Sequence, residues 1–394
     1  MGISSRSSAS ISVSEGVRSD AATFCIRADK IGAEGWVVTE ALTPAAMEGQ
    51  GRYNRSSQVQ AAALSPAVPM LERAARAAPL PVGRLPIVVA DYGSSQGHNS
   101  LAPMSVAIDV LRERAGREQP ISVVHVDLPG NDFTALFETL RSDPQTYLKR
   151  DAAVFASAVG RSFYEQVLPT GTVTLGWSAW AVQWLSQAPG VIPDQVQVAL
   201  SSDAEAKNAF HRQAAEDWRR FLVARGRELC EGGRLVVLTM AVDEHGEFGY
   251  RPLLQAMYAS LVKMVESGFL SKEELRRMAI PTVGRSREEF LAPFGAEGSF
   301  AGLRMEETEV FLGEDHIWAD YQRDGDPRSF GVRWAAFSRA SVFPTLAEAL
   351  KSDGESGRSA AFITRLESMT AAQLTEHPER MLIPLARIRL AKQG

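Results

Sequence analysis

Two acidic side chains stand where predicted strands end. Asp91 closes the apolar run 85–91 and precedes the loop Gly93-Ser-Ser-Gln-Gly97, whose glycines allow a tight turn and a close approach to a ligand. Asp127 closes the next run, 121–127, at the position where Rossmann-type proteins hold ribose hydroxyls with a carboxylate. An acid directly before a glycine loop repels a pyrophosphate, but it suits a cationic or hydroxyl-rich ligand.

The loop differs from two common nucleotide-binding motifs. It lacks the middle glycine of G-x-G-x-x-G, and the Lys-Ser/Thr pair of a P-loop does not follow its last glycine. An ordinary βα turn without a ligand is the alternative, and the loop alone does not decide between the two. Together, however, the two acids fit a ligand with an adenosine-like ribose and no phosphate. S-adenosylmethionine (SAM), with its ribose, amino-acid tail and sulfonium cation, is such a ligand.

The elements that position these acids alternate along the chain. Apolar runs bounded by turn residues predict strands at 85–91, 121–127, 152–157, 172–176 and 235–240, and helical patterns lie at 101–114, 133–148 and 204–230. Repetition of strand, turn and helix predicts a parallel sheet covered on both faces. Helices with Pro and Gly breaks follow from about 250 to 345, and sheet-like character returns at 309–312 and 382–390. We therefore predict a doubly wound α/β fold with a mainly helical cap.

This pattern divides the chain into four predicted segments. A Ser-rich disordered tail covers 1–22, and a cofactor-binding core with an N-terminal substrate and cofactor segment covers 23–249. The helical cap covers 250–345, and residues 346–394 return to the core sheet.

Composition excludes several classes of protein. The 42 Lys and Arg residues against 47 Asp and Glu, a net charge of −5, provide no basic face for nucleic acid. No run approaches the ~20 apolar residues of a membrane span, and residues 1–22 lack the apolar stretch of a secretion signal. Two cysteines, Cys25 and Cys230, exclude a disulfide scaffold, and no Cys/His cluster has zinc-ligand spacing. We expect a cytoplasmic protein that binds neither membrane nor nucleic acid.

A series of motifs follows in order along the chain: Met47-Glu-Gly-Gln-Gly-Arg-Tyr53, Ser56-Ser57-x-x-Gln60, Asp91-x-Gly-x-Ser-x-Gly-x-Asn99, Asp127-Leu-Pro-Gly-Asn-Asp-Phe133, Ser162-Phe-Tyr164, Trp184-Leu-Ser-Gln-x-Pro189, Glu228-Leu-Cys-Glu-Gly-Gly-Arg234 and Met264-Val-Glu-Ser-Gly268. In this order and spacing the series resembles the SABATH family of SAM-dependent carboxyl methyltransferases. The family is best known for plant enzymes that methylate salicylate, benzoate, jasmonate and indole-acetate, and we expect a non-plant member. The resemblance extends from about residue 47 to 345 and continues thinly to the C-terminus.

The resemblance implies a class I methyltransferase fold with SAM as cofactor and S-adenosylhomocysteine (SAH) as product. With Gly93 of the loop, it implies a cofactor-binding set of Tyr53, Ser57, Asp91, Gly93, Asn99, Asp127, Leu128, Ser162 and Phe163. Gln60 and Trp184 are implied to hydrogen-bond the substrate carboxylate, while Trp180 and Gln183 line the pocket for the rest of the acid. Relatives form homodimers, so we expect a homodimer.

The chemistry agrees with this assignment. A carboxylic acid with a pKa near ~4 is already ionised at pH ~7, so its attack on a sulfonium methyl needs no general base. The site must supply in-line placement and removal of water from the nucleophile. Neutral donors such as the Gln60 amide and the Trp184 indole orient a carboxylate without neutralising it. We therefore expect the product to be the methyl ester of a small, largely apolar acid.

No metal is expected. Relatives that bind a structural magnesium ion carry an acid and an Asn shortly before a proline of the cap. Before Pro281 this chain has Arg276 and Ala279 in those places.

Several alternatives stay open at the level of the sequence. The spacing of Trp177, Trp180 and Trp184 also fits one face of a helix, and such a stripe belongs to a core more often than to a pocket. N-methylation of a heterocyclic amine would use the same family fold. A NAD(P)-dependent Rossmann oxidoreductase and a catalytically silent SAM-binding protein are two further classes.

Overall fold

The predicted strands assemble into one sheet in the computed structural model, which describes residues 44, 45, 47, 64–350 and 357–394. In chain order the strands are β1 (Ile87–Tyr92), β2 (Ile121–Asp127), β3 (Val154–Gly160), β4 (Val173–Ala179), β5 (Leu229–Met240), β6 (Ser299–Phe300), β7 (Leu303–Leu312) and β8 (Pro384–Lys392). Their spatial order is β3-β2-β1-β4-β5-β8-β7-β6. Strands β1 to β5 are parallel, whereas β8 runs antiparallel between β5 and β7.

Helices cover both faces of this sheet. They are α1 (Val68–Ala77), α2 (His98–Ala115), α3 (Phe133–Ser142), α4 (Ala204–Glu228), α5 (Arg251–Glu266), α6 (Lys272–Arg277), α7 (Arg287–Leu291), α8 (His316–Asp324), α9 (Pro327–Ser341), α10 (Phe343–Ala347) and α11 (Arg358–Glu376). Alternate side chains of each strand enter opposite layers of the core. In β1, Ile87 and Val89 join one apolar cluster, and Ala90 and Tyr92 join the other. The predicted doubly wound α/β class is confirmed.

Three local predictions need correction. The helical pattern at 133–148 ends at Ser142, because Asp143 precedes Pro144 and a residue before proline disfavours helical backbone. The helix predicted over 204–230 ends at Glu228, since Leu229 already pairs with Val173 in the β4–β5 ladder. Cys230, which we expected in that helix, therefore lies in β5.

The segment 250–345 is not composed of helices alone. It contributes β6 and β7, and β7 pairs along its length with β8 at the C-terminal end of the sheet. The four segment boundaries themselves stay a prediction, and the predicted tail 1–22 lies outside the described residues. None of the described helices is long and apolar enough to cross a membrane.

The sheet reverses its strand order between β1 and β4, which places a crevice beyond their carboxyl ends. Gly93 leaves β1 at this point with φ +89°, a region that favours glycine. A Cβ atom at Gly93 would lie 2.4 Å from the Cβ of Ala181, in the segment that follows β4. The glycine is required for the two segments to approach each other.

Candidate active site

A cavity of about 360 Å³ opens at the carboxyl ends of the parallel strands. Five of the nine predicted cofactor residues lie on its wall: Gly93, Asp127, Leu128, Ser162 and Phe163. Tyr53 and Ser57 lie outside the described residues. Asp91 and Asn99 are described but do not line the cavity. Asn99 is half-buried in the first turn of α2.

Asp127 is held by the backbone on both carboxylate oxygens. The Ser95 N–H donates to Oδ2 at 2.6 Å, and the Leu128 N–H donates to Oδ1 at 2.8 Å. Burial raises the pKa of Asp127 to about 6; the two backbone donors oppose this shift and the nearby Asp91 charge adds to it. Each oxygen has a second lone pair that hydroxyl donors can reach. This arrangement suits the two hydroxyls of a ribose.

Ser95 is a wall residue that was not among the predicted cofactor residues. It lies in the middle of the glycine loop with φ +47°, and its carbonyl accepts a hydrogen bond of 2.8 Å from the Asn131 amide. Its buried hydroxyl has no hydrogen-bond partner among the described residues. A buried hydroxyl without a partner on the wall of a cavity fits a ligand that supplies the missing hydrogen bond.

Asp91 lies beneath the loop instead of on the cavity wall. Its Oδ2 accepts from the Ser100 hydroxyl at 2.5 Å and faces the His125 Nδ1 at 2.9 Å. Asp91 is 2% exposed. The structure therefore places Asp91 where it holds the two ends of the glycine loop together.

A second, apolar cavity of about 70 Å³ adjoins the first. Its walls come mainly from the segment predicted as the cap, with side chains that include Leu253, Leu254, Met257 and Ile280, and Phe248 lies just before that segment. Met47, Trp180 and Trp184 line both cavities. The two tryptophans predicted for the substrate site therefore stand where the cofactor-sized cavity meets the apolar one.

The helical interpretation of the tryptophan spacing is wrong. Trp177 is a buried residue of β4, Trp180 follows the strand with φ +55°, and Trp184 lies in a loop with a single bridge to Thr282. The i, i+3, i+7 spacing thus arises from a strand followed by a folded loop. Trp177 belongs to the core.

The loop that carries Trp184 is fixed through its backbone. The Arg285 guanidinium donates to the Val182 carbonyl at 2.7 Å, and the Tyr164 hydroxyl donates to the Trp184 carbonyl. Asp217 accepts from the N–H and the hydroxyl of Ser186, each at 2.7 Å. These buried partners hold Trp184 in one position, although its own side chain is half-buried.

Arg285, Tyr164 and Asp217 form a buried polar group behind this loop. Burial lowers the pKa of Arg285, an effect that the neighbouring Tyr164 and Asp217 oppose. Burial likewise raises the pKa of Tyr164, so its hydroxyl stays a donor. Asp217 and Arg285 were not predicted, because a buried arginine that joins distant loops has no local sequence pattern.

Gln183 is placed on the wall of the apolar cavity, but its amide is engaged by the protein. Its Nε2 donates to the Trp180 carbonyl at 2.7 Å, and its Oε1 accepts from the Thr239 hydroxyl at 2.9 Å. Gln183 therefore shapes the loop between Trp180 and Trp184. Gln60, the other predicted carboxylate donor, lies outside the described residues.

The described residues contain no group of three or more His, Cys, Asp or Glu side chains that could hold a metal ion. Arg276, at one of the two positions compared with magnesium-binding relatives, is exposed and pairs with Glu273.

A family model described as SAM dependent carboxyl methyltransferase matches residues 40–387. The chain belongs to this family. The resemblance seen in its motifs is confirmed, so this methyltransferase takes SAM as cofactor and releases SAH. The walls around Asp127 and Ser95 fit that cofactor, whereas the alternative of a NAD(P)-dependent oxidoreductase is wrong.

Named relatives cover most of this methyltransferase. It is 30% identical over 291 residues to the salicylate carboxymethyltransferase of Clarkia breweri. The matched region covers 71% of this chain and 78% of that protein. It is 27% identical over 296 residues to the probable 7-methylxanthine methyltransferase 3 of Theobroma cacao, with 69% and 79% covered. The solved structure of loganic acid methyltransferase with SAH shares the fold, with a TM-score of 0.70 and 19% identity. The match covers 89% of this chain and 99% of that one.

Proposed function

We propose that this methyltransferase converts a small, largely apolar carboxylic acid to its methyl ester. One observation carries the proposal: the cavity walled by Asp127 meets an apolar cavity at Trp180 and Trp184. A cofactor in the first cavity and an acid in the second would meet at the two tryptophans.

The reaction needs positioning more than acid or base catalysis. When bound, SAM supplies an electrophilic methyl group on a sulfonium. Transfer of that methyl group to a carboxylate oxygen would leave a thioether and form an ester, so both charges would be neutralised. The Trp184 indole N–H would orient the carboxylate, and the apolar walls would exclude water from it.

Asp127 would receive the ribose hydroxyls, with Gly93, Leu128, Ser162 and Phe163 around the rest of the cofactor. We propose cofactor contacts from Tyr53 and Ser57 and carboxylate binding by Gln60, as the resemblance implies. Asp91 and Asn99, which do not line the described cavity, would act through the glycine loop and the start of α2. Trp180 and Gln183 would shape the acyl pocket.

An amine acceptor is the alternative, because the relative from Theobroma cacao is named for a methylxanthine. A nitrogen acceptor that carries a proton must lose it, whereas a carboxylate has none to lose. In the described part of the apolar cavity, Tyr250 is the one lining residue with an ionisable side chain, and its pKa is raised by burial. The described walls thus favour an acid.

The test uses methyl-labelled SAM with matched panels of carboxylic acids and heterocyclic amines. An ester releases labelled methanol in alkali, whereas an N-methyl product does not. We expect alkali-labile product from at least one acid. Alkali-stable product alone would replace the acid with an amine acceptor, and absence of SAH binding in calorimetry would contradict the cofactor site.

Three further features are proposed: the dimer on the resemblance, and the location and the segment boundaries on the composition and pattern of the sequence. The enzyme would be a cytoplasmic homodimer, and its segments would be divided as predicted from the sequence. Size-exclusion chromatography with light scattering tests the dimer.

A further inference from the structure

A chain of hydrogen bonds runs beneath the glycine loop, outside both cavities. The Tyr147 hydroxyl lies 2.8 Å from His125 Nε2, and His125 Nδ1 lies 2.9 Å from Asp91 Oδ2. The Ser100 hydroxyl donates to the same Asp91 oxygen at 2.5 Å. Asp91, His125 and Tyr147 are each at most 2% exposed.

The partners fix the direction of this chain. An ionised carboxylate only accepts, so the proton of His125 is assigned to Nδ1. In a neutral imidazole Nε2 then accepts, and Tyr147 donates to it. Burial and the charge of Asp91 raise the pKa of Tyr147, which keeps the hydroxyl a donor. Each hydrogen bond in the series thus pairs a donor with an acceptor.

The chain joins four separate elements. Asp91 and His125 stand opposite each other in the β1–β2 ladder. Ser100 belongs to the first turn of α2, and Tyr147 begins a short 3₁₀ turn, Tyr147–Lys149. The glycine loop leaves β1 just after Asp91 and enters α2 just before Ser100. Both ends of the loop are therefore tied to one carboxylate oxygen.

The middle of the same loop touches the cofactor cavity. Ser95 lines that cavity and donates its N–H to Asp127. A shift of Asp91 would move the loop ends, and with them the Ser95 donor that orients Asp127. We propose that His125 and Tyr147 are positioning residues, which hold Asp91 and thereby keep the glycine loop shaped for the cofactor.

The effect of this proposal on SAH binding rests on the proposed function. The test therefore also includes amide hydrogen exchange, which does not depend on that function. His125→Leu removes both hydrogen bonds. His125→Asn restores a donor close to the Nδ1 position and leaves the Nε2 position empty, and Tyr147→Phe removes only the outer bond. Val123→Ala, two residues earlier on the same buried face of β2, is the matched control for lost packing.

We expect His125→Leu to raise the Kd for SAH and the KM for SAM about tenfold while kcat changes less than about twofold. His125→Asn should return the Kd to within about threefold of the wild-type value, because one hydrogen bond to a carboxylate is restored. In the cofactor-free protein, amide hydrogen exchange at residues 94–99 should accelerate in His125→Leu and not in Val123→Ala.

Two outcomes would overturn the proposal. The first is a His125→Leu protein whose loop amides exchange as in the wild type and whose Kd is unchanged. The second is a His125→Asn protein as impaired as His125→Leu. If the wild-type protein fails to bind SAH, the proposed function is contradicted, and hydrogen exchange still decides the positioning role.

Discussion

The pKa of Asp127 makes cofactor affinity depend on pH. In the cofactor-free site burial raises this pKa to about 6. Ribose hydroxyls donate to an ionised carboxylate, so binding of SAH favours the ionised form and lowers the pKa of Asp127. Binding below pH ~6 must therefore release a proton from this group, at a cost in affinity.

The magnitude follows from the ionised fraction. At pH ~8 nearly every Asp127 is ionised, whereas at pH ~5 a group with a pKa of about 6 is ionised in about one molecule in ten. The Kd for SAH should be flat above pH ~7 and about tenfold higher at pH ~5. The same linkage acts on stability. The native state without cofactor holds this proton more tightly than the unfolded state, so Asp127 lowers stability as pH rises from ~4 to ~6.

Isothermal titration calorimetry with SAH from pH 5 to 8 is the assay. Asp127→Asn is the comparison variant. Its amide carries no charge, and its N–H₂ group faces the backbone N–H of either Ser95 or Leu128, so one of these two hydrogen bonds is lost. We expect its Kd to be at least about tenfold above wild type at pH ~8 and independent of pH. A wild-type Kd that stays constant down to pH 5 in protein that circular dichroism shows to be folded would refute this reasoning.

Further predictions concern the tryptophan loop and the apolar cavity. Trp184→Phe should lower kcat/KM for the acid at least about tenfold and leave the Kd for SAH within about twofold, which steady-state kinetics and calorimetry measure; equal activity would remove Trp184 from substrate binding. Arg285→Met leaves the Val182 and Ala214 carbonyls without their donor, so urea unfolding should show a free energy of unfolding lower by about 2–5 kcal/mol. A decrease under about 1 kcal/mol would contradict the role of Arg285 in fixing the loop. Tyr250→Phe removes a buried hydroxyl that has no partner among the described residues, so the free energy of unfolding without substrate should rise by about 1 kcal/mol; a decrease would show that the hydroxyl is bonded.

The sequence predicts this site where local pattern suffices. β2 has the predicted bounds, and Asp127 stands at its end, because apolar periodicity and a strand-end acid are both local signals. The insertion of β8 between β5 and β7 was not predicted, since strand order depends on contacts between distant parts of the chain.

The same limit applies to side chains. The Arg285 bond to Val182 spans 103 residues, and the Asp91–His125 pair spans 34. Neither has a pattern that reading along the chain can find. The tryptophan spacing shows the opposite error: a local period that fits a helix belongs to a strand and a loop, because tertiary contacts fix the conformation there.

The most direct test of the site is a crystal structure with SAH bound. We expect the ribose hydroxyls within hydrogen-bond distance of Asp127 and the sulfur at the junction of the two cavities, facing the apolar cavity beside Trp184. A sulfur directed away from that cavity, or a ribose without contact to Asp127, would contradict the proposed arrangement of cofactor and acid.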